Sequence, residues 1–142
     1  MDHTPSPARL LAYDHIGIRV SHQARSLAFY QALGFRESAR FERHEANEMV
    51  SPDGVRIHLI LNGSRRPLAH NLLLDAPVKW PGITHPAFVV DDLQSLQSWL
   101  AARRIPVTEG PHRIGPRLVA LFIRDPDGTV LEFNQLIEEA AA

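Results

Sequence analysis

The segments YDHIGIRVS, beginning at Tyr13, and ITHPAFVVD, beginning at Ile83, decide the fold because they are two versions of one pattern. Each contains a histidine, His15 or His85, followed by an apolar run rich in β-branched residues. Residues two apart in each run fall on the same face, which is typical of a β-strand. The sequence therefore predicts two similar strands, each with a histidine near its start.

Each predicted strand is followed by a helix and then by a β-rich stretch. Ser21 and either Asp91 or Asp92 are suitable N-cap residues, and leucines recur after them at helical spacing. The β-rich stretches end in two turns with matching chemistry, Ser51-Pro52-Asp53-Gly54 and Asp125-Pro126-Asp127-Gly128. A final strand follows each turn. The chain thus consists of two βαβββ modules, an α+β arrangement.

The repeat also sets the expected domain organisation. We expect one domain over residues 1–142, with module one at about 12–63 and module two at about 83–137. The segment of about 64–82 carries three prolines and is predicted to be a linker between the modules.

Two further polar residues occupy matching positions in the final strands. His58 lies four residues after Gly54, and Glu132 lies four residues after Gly128. Together with the two strand histidines they give each module one candidate ligand on its first strand and one on its last. If a pseudo-twofold axis relates the modules, the four side chains converge inside one curved sheet. Imidazole and carboxylate ligands suit zinc, iron(II), manganese or nickel, and they leave positions open for a substrate.

The overall composition excludes several other classes of protein. There is no cysteine, so any metal must be held by nitrogen and oxygen. The 15 basic and 16 acidic side chains give a formal charge of −1, which argues against binding to nucleic acid or to a membrane surface. We find neither a signal peptide nor an apolar run of about 20 residues, and therefore expect a cytoplasmic location.

The segments DHIGIRV, SLAFYQALGF, THPAFVV and RDPDGTVLEFNQ resemble the vicinal-oxygen-chelate superfamily, and the resemblance extends from about Tyr13 to Ile137. This superfamily includes glyoxalase I, methylmalonyl-CoA epimerase, the extradiol dioxygenases, the fosfomycin-resistance enzymes and the bleomycin-resistance proteins. The resemblance implies a glyoxalase-like fold, in which the two modules form a curved mixed sheet around a metal-binding cleft. It also implies one divalent metal on His15, His85 and Glu132, and a homodimer.

His58 departs from the pattern of glyoxalase I, which has a carboxylate or amide ligand at the matching position. His58 is either a fourth metal ligand or an acid/base group that does not touch the metal, as in the extradiol dioxygenases. Both roles stay open at this stage.

The resemblance to glyoxalase I favours a lyase or isomerase that acts through an enediolate on a small substrate with adjacent oxygens. Arg19 and Asn62 match the positions that grip the glutamyl end of glutathione in glyoxalase I, so the substrate would be a glutathione adduct. In that mechanism Glu132 moves a proton between adjacent carbons while the metal acts as a Lewis acid.

The first alternative is an extradiol-type dioxygenase that uses iron(II) to cleave a catechol. His112, Phe122 and Glu132 loosely follow that family's signature, but the dioxygenases have tyrosine where this chain has Phe122. A phenylalanine cannot do the work of that tyrosine, so we favour the glyoxalase-type reaction. Two further alternatives are a thiol transferase like the fosfomycin-resistance enzymes and a non-enzymatic drug-binding resistance protein.

Overall fold

The structure is a computed structural model that describes residues 2–66 and 70–138. Each half of the described chain runs through a strand, a helix and three more strands, as the repeat predicts. The elements of module one are β1 (Ile16–Arg19), α1 (Gln23–Ala32), β2 (Arg36–Phe41), a short 3-10 turn (Glu42–His44), β3 (Ala46–Val50) and β4 (Arg56–Ile60). Those of module two are β5 (Ala87–Val89), α2 (Leu93–Ala102), β6 (Glu109–Ile114), β7 (Leu118–Arg124) and β8 (Val130–Leu136).

The strands form one mixed sheet of four strands in each module. The order is β1-β4-β3-β2 in module one and β5-β8-β7-β6 in module two. In both sheets the first strand pairs in parallel with the last, and the remaining pairs are antiparallel. The predicted α+β class with two βαβββ modules is therefore confirmed. The first strand of each module lies at the edge of its sheet.

The two helices differ in how closely their N-caps follow the prediction. Asp92 caps α2 as predicted, because its carboxylate accepts hydrogen bonds from the backbone of the first turn. The cap of α1 is His22, whose Nδ1 accepts from the backbone N–H of Arg25 at 3.1 Å, so the prediction of Ser21 is wrong by one residue. The Ser21 hydroxyl donates instead to Asp127 of module two, a partner that local sequence cannot reveal.

One apolar core contains side chains from both modules. It includes Ile18 and Tyr30 of module one together with Leu100, Leu121 and Leu131 of module two, all of them buried. Burial of large apolar side chains is the main favourable contribution to folding. The two sheets are therefore packed together through their helices and inner faces.

The described part of the connecting segment forms turns against module two. Asp75 accepts two hydrogen bonds of 2.6 Å from the guanidinium of Arg124, and this ion pair holds the pKa of Asp75 far below its usual range. Asn71 donates from Nδ2 to the backbone oxygen of Gly128 at 3.2 Å. Neither helix of the described chain is long and apolar enough to cross a membrane.

Candidate metal centre and substrate cleft

The strand register places the four candidate ligands in equivalent positions of the two modules. Gly17 of β1 pairs with His58 of β4, and Ala87 of β5 pairs with Glu132 of β8. The histidine of each module lies two residues before the paired residue of the first strand. Because side chains alternate with a period of two, each histidine shares a sheet face with the candidate on the last strand.

In module one, the two histidines are in direct contact. The rings of His15 and His58 stack with their centroids 3.5 Å apart and their planes 10° apart. Asp14 places a carboxylate oxygen 2.6 Å from Nδ1 of His15, and this hydrogen bond is the main cause of the lowered pKa of Asp14. Potential ligand atoms of Asp14, His15 and His58 all lie within 4.8 Å of one another. Module one therefore gathers two imidazoles and a carboxylate in one place.

His58 has a buried nitrogen that lacks a hydrogen-bond partner among the described residues. This atom, Nε2, lies 3.5 Å from Oε2 of Glu48, which is too long for a well-formed hydrogen bond. Buried polar atoms are nearly always satisfied in proteins, so an unpartnered one needs an explanation. A divalent metal bound by neutral imidazole nitrogen would satisfy Nε2, and the nitrogen and oxygen donors present suit such an ion.

In module two, His85 and Glu132 form the corresponding pair. Nε2 of His85 lies 3.6 Å from Oε1 of Glu132, whose side chain is 14% exposed. The second carboxylate oxygen of Glu132 accepts a hydrogen bond of 2.9 Å from Nδ2 of Asn134. The hydroxyl of Thr84 lies 2.9 Å from Nδ1 of His85. Partners of this kind orient ligand side chains in metal sites, since they fix the ring and the carboxylate before an ion binds.

One histidine of each pair lines a common cleft, but the two pairs are not merged into one cluster. The cleft is a cavity of about 740 Å³ between β1 and the segment just before β5, and both His15 and His85 line it. Within residues 2–66 and 70–138, Asp14, His15 and His58 are the group of three candidate ligands that lies within 4.8 Å. The structure thus brings each pair together and places one histidine of each pair on the same cleft. The complete set of His15, His58, His85 and Glu132 stays a prediction.

The predicted substrate-binding residues lie at two places. At the end of β1, Nε of Arg19 donates to Oδ1 of Asn62 at 3.1 Å, while Nδ2 of Asn62 donates to Glu45 at 2.9 Å. Arg19 also lines the cleft. In module two, the predicted substrate-binding residues Phe122 and His112 have ring centroids 6.3 Å apart. The ring of Phe122 also lies 5.6 Å from that of His85, the candidate metal ligand.

Two carboxylates near the ligands were missed by sequence reasoning. Asp14 directly precedes His15, so its position beside that ligand was available as a signal. Glu48 reaches His58 because the two residues pair across β3 and β4. That register follows from strand pairing, which the sequence of one chain does not specify. A hydrogen bond from Ser38 is the main cause of the lowered pKa of Glu48.

Comparison with solved structures gives the same fold. A glyoxalase/dioxygenase from Nostoc punctiforme is 19% identical, with a TM-score of 0.74 over 97% of this chain and 99% of its own. A glyoxalase family protein from Bacillus cereus is 20% identical, with a TM-score of 0.69 over 95% of this chain and 100% of its own. A virulence protein from Salmonella typhimurium is 24% identical, with a TM-score of 0.63 over 92% and 100%. At these identities the likeness concerns the fold alone.

A search among curated proteins gave no significant match. The model of one protein family, however, matches residues 12–133, which is most of the chain and includes both modules. This match agrees with the paired βαβββ sheets and with the cleft between them. The chain therefore belongs to the Glyoxalase/Bleomycin resistance protein/Dioxygenase superfamily.

Proposed function

We propose that this protein is a metal-dependent enzyme of the glyoxalase I type, a lyase or isomerase that moves a proton between adjacent carbons of a small substrate. The observation that carries the proposal is the setting of Glu132. Its carboxylate is mostly buried, one oxygen is anchored by Asn134, and the other lies 3.6 Å from Nε2 of His85, a residue that lines the cleft. A fixed carboxylate directly behind a cleft-lining residue is a candidate to take up a proton and return it.

The metal would be held by His15, His58, His85 and Glu132. When bound, a divalent ion in this set would act as a Lewis acid that polarises two neighbouring oxygens of the substrate. The unpartnered Nε2 of His58 supports a ligand role for that residue. A cleft of about 740 Å³ is within the usual size range of small-molecule sites.

The remaining contacts favour proton transfer over ring cleavage. Phe122 packs against both His85 and His112 and is 9% exposed, and it has no hydroxyl to donate a hydrogen bond or a proton. Arg19 and Asn62 are joined by a hydrogen bond at one end of the cleft, where they could grip a substrate carboxylate such as that of a glutathione adduct.

We include a homodimer in the proposal. Each module supplies half of the proposed ligand set, and among the described residues the two halves do not form one cluster. Several large apolar side chains on or near the sheet edges are exposed, including Val89 at 63% and Leu136 at 58%. Contact with a second copy would cover such side chains and bring the two halves together.

The test is a pair of assays on metal-loaded protein. One offers a glutathione hemithioacetal under nitrogen, and the other offers catechols with iron(II) in air. We expect turnover of the hemithioacetal, a loss of about 10²–10⁴-fold in Glu132→Gln, and retained metal and turnover in His58→Glu. Glu42→Gln is the matched control, because that carboxylate is exposed and does not line the cleft. Oxygen consumption with catechols alone, or full activity of Glu132→Gln, would contradict the proposal.

A further inference from the structure

A second cavity, of about 550 Å³, adjoins the substrate cleft and is lined by four arginines. It lies between the end of β1, the start of α1, the loop after β4 and the turn between β7 and β8. The four arginines are Arg19, Arg25, Arg65 and Arg66. Arg19 and Arg66 line the substrate cleft as well, so the two cavities are neighbours with a shared wall.

Among the described residues, carboxylates balance only part of the positive charge of this cavity. One carboxylate, that of Asp127, is among the lining residues, and it is already bound by the Ser21 backbone N–H and hydroxyl and by Arg25. Arg19 donates to a neutral amide, and neither Arg65 nor Arg66 lies within 4.0 Å of a carboxylate among the described residues. Four guanidinium groups against one carboxylate leave an excess of three positive charges.

The backbone around the cavity brings these charges close together. Gly63 donates from its N–H to the backbone oxygen of Val20 at 3.0 Å, and a Cβ at this glycine would lie 2.7 Å from the same oxygen. Only glycine lets the loop lie this close to the end of β1, and Arg65 and Arg66 follow directly. Arg25 is fixed near them by its contact with Asp127, in which Nη2 lies 3.3 Å from Oδ1.

We propose that this cavity binds an oxyanion with two or more negative charges, of the phosphate type, carried by a small molecule. Arginine forks match the geometry of such groups, and an excess of three charges is better neutralised by a multiply charged group than by one carboxylate. Binding of the anion does not depend on the proposed reaction. The glutathione adduct of the proposed function carries carboxylates and no phosphate, so this anion belongs to a second ligand.

The test is calorimetric titration of the full-length protein with inorganic pyrophosphate and inorganic phosphate at constant ionic strength. We expect one pyrophosphate per chain and at least about tenfold weaker binding in the double variant Arg65→Gln/Arg66→Gln. The charge-matched control is Arg43→Gln/Arg117→Gln, at two exposed positions away from the cavity. The protein is dialysed against a chelator before titration, so that a bound metal does not mediate the binding. Melting curves confirm that each variant is folded.

Three results would overturn the inference. The first is that the parent does not bind pyrophosphate, and the second is that the site and control variants weaken binding equally. The third is that glutathione binds in an Arg65-dependent way while pyrophosphate does not bind, which would assign the cavity to single carboxylates. Hemithioacetal turnover measured on the same samples separates the two proposals. Pyrophosphate binding without turnover keeps the anion site alone. Turnover without pyrophosphate binding keeps the proposed function alone.

Discussion

The hydrogen bond between Tyr30 and Asp125 joins α1 of module one to the end of β7 in module two. The hydroxyl donates to Oδ2 of Asp125 at 2.8 Å, and the two residues are 0% and 4% exposed. The other oxygen of Asp125 already accepts from the backbone of Asp127 and Thr129. Tyr30→Phe therefore keeps the packed ring but leaves Oδ2 of a buried carboxyl group without a donor. We expect the free energy of unfolding to fall by about 1.5–3 kcal/mol.

For a chain of this length that loss corresponds to a decrease of roughly 5–10 °C in Tm. Urea denaturation at neutral pH measures it, with Tyr13→Phe as the control because Tyr13 is 79% exposed. A double-mutant cycle with Asp125→Asn isolates the pair, and we expect a coupling free energy above about 1 kcal/mol. A change within about 0.5 kcal/mol for Tyr30→Phe, or strict additivity in the cycle, would refute the view that this contact stabilises the association of the modules.

Two further predictions concern the metal and the pH dependence of stability. Glu132→Ala and His85→Ala should each weaken divalent metal binding about 10²–10³-fold, because a site with a binding free energy of about 10–16 kcal/mol loses one of four ligands. Elemental analysis after dialysis measures the remaining metal. The control is His44→Ala, an exposed position at which metal content should match the parent. Burial raises the pKa of Asp125 above 3.8, so its contribution to stability is fully present below that pH and is lost as the pH rises through the raised pKa. Relative to Asp125→Asn, the parent should therefore lose stability as the pH of urea titrations rises above 3.8, and a difference that does not change with pH would contradict this.

The fold was predictable because its signals are local and occur twice. Strand alternation, the Asp92 cap and the two Pro-Asp-Gly turns each depend on neighbours in sequence. The cap of α1 was assigned to the wrong residue for the opposite reason. Ser21 has the right chemistry for a cap, but Asp127 lies 106 residues away and binds its hydroxyl. A partner at that separation appears only when the two modules pack together.

The candidate site was predictable to the extent that the repeat encodes it. His58 and Glu132 each lie four residues after the glycine of their turn, and this equal spacing was enough to match them. In the structure both pair with the residue two positions after the first-strand histidine. The arginine cavity has no such signal. Its members come from a strand, a helix and the segment after β4, at positions 19, 25, 65 and 66. Only tertiary packing brings them together. The formal net charge of −1 for the whole chain therefore gives no sign of this local excess of positive charge.

The departures from symmetry between the modules bear most directly on the assignment of chemical roles. Equivalent positions hold an imidazole in module one and a carboxylate in module two. The residues that pair with them on the neighbouring strand also differ. Glu48 of β3 pairs with His58, whereas the apolar Phe122 of β7 pairs with Glu132. Module one therefore places a carboxylate beside each imidazole: Asp14 is hydrogen-bonded to His15, and Glu48 lies 3.5 Å from Nε2 of His58. Under the proposed function these two imidazoles are metal ligands. Under the proposed function, Glu132 is the group in module two that exchanges a proton with the substrate, because Phe122 beside it offers neither a proton nor a charge.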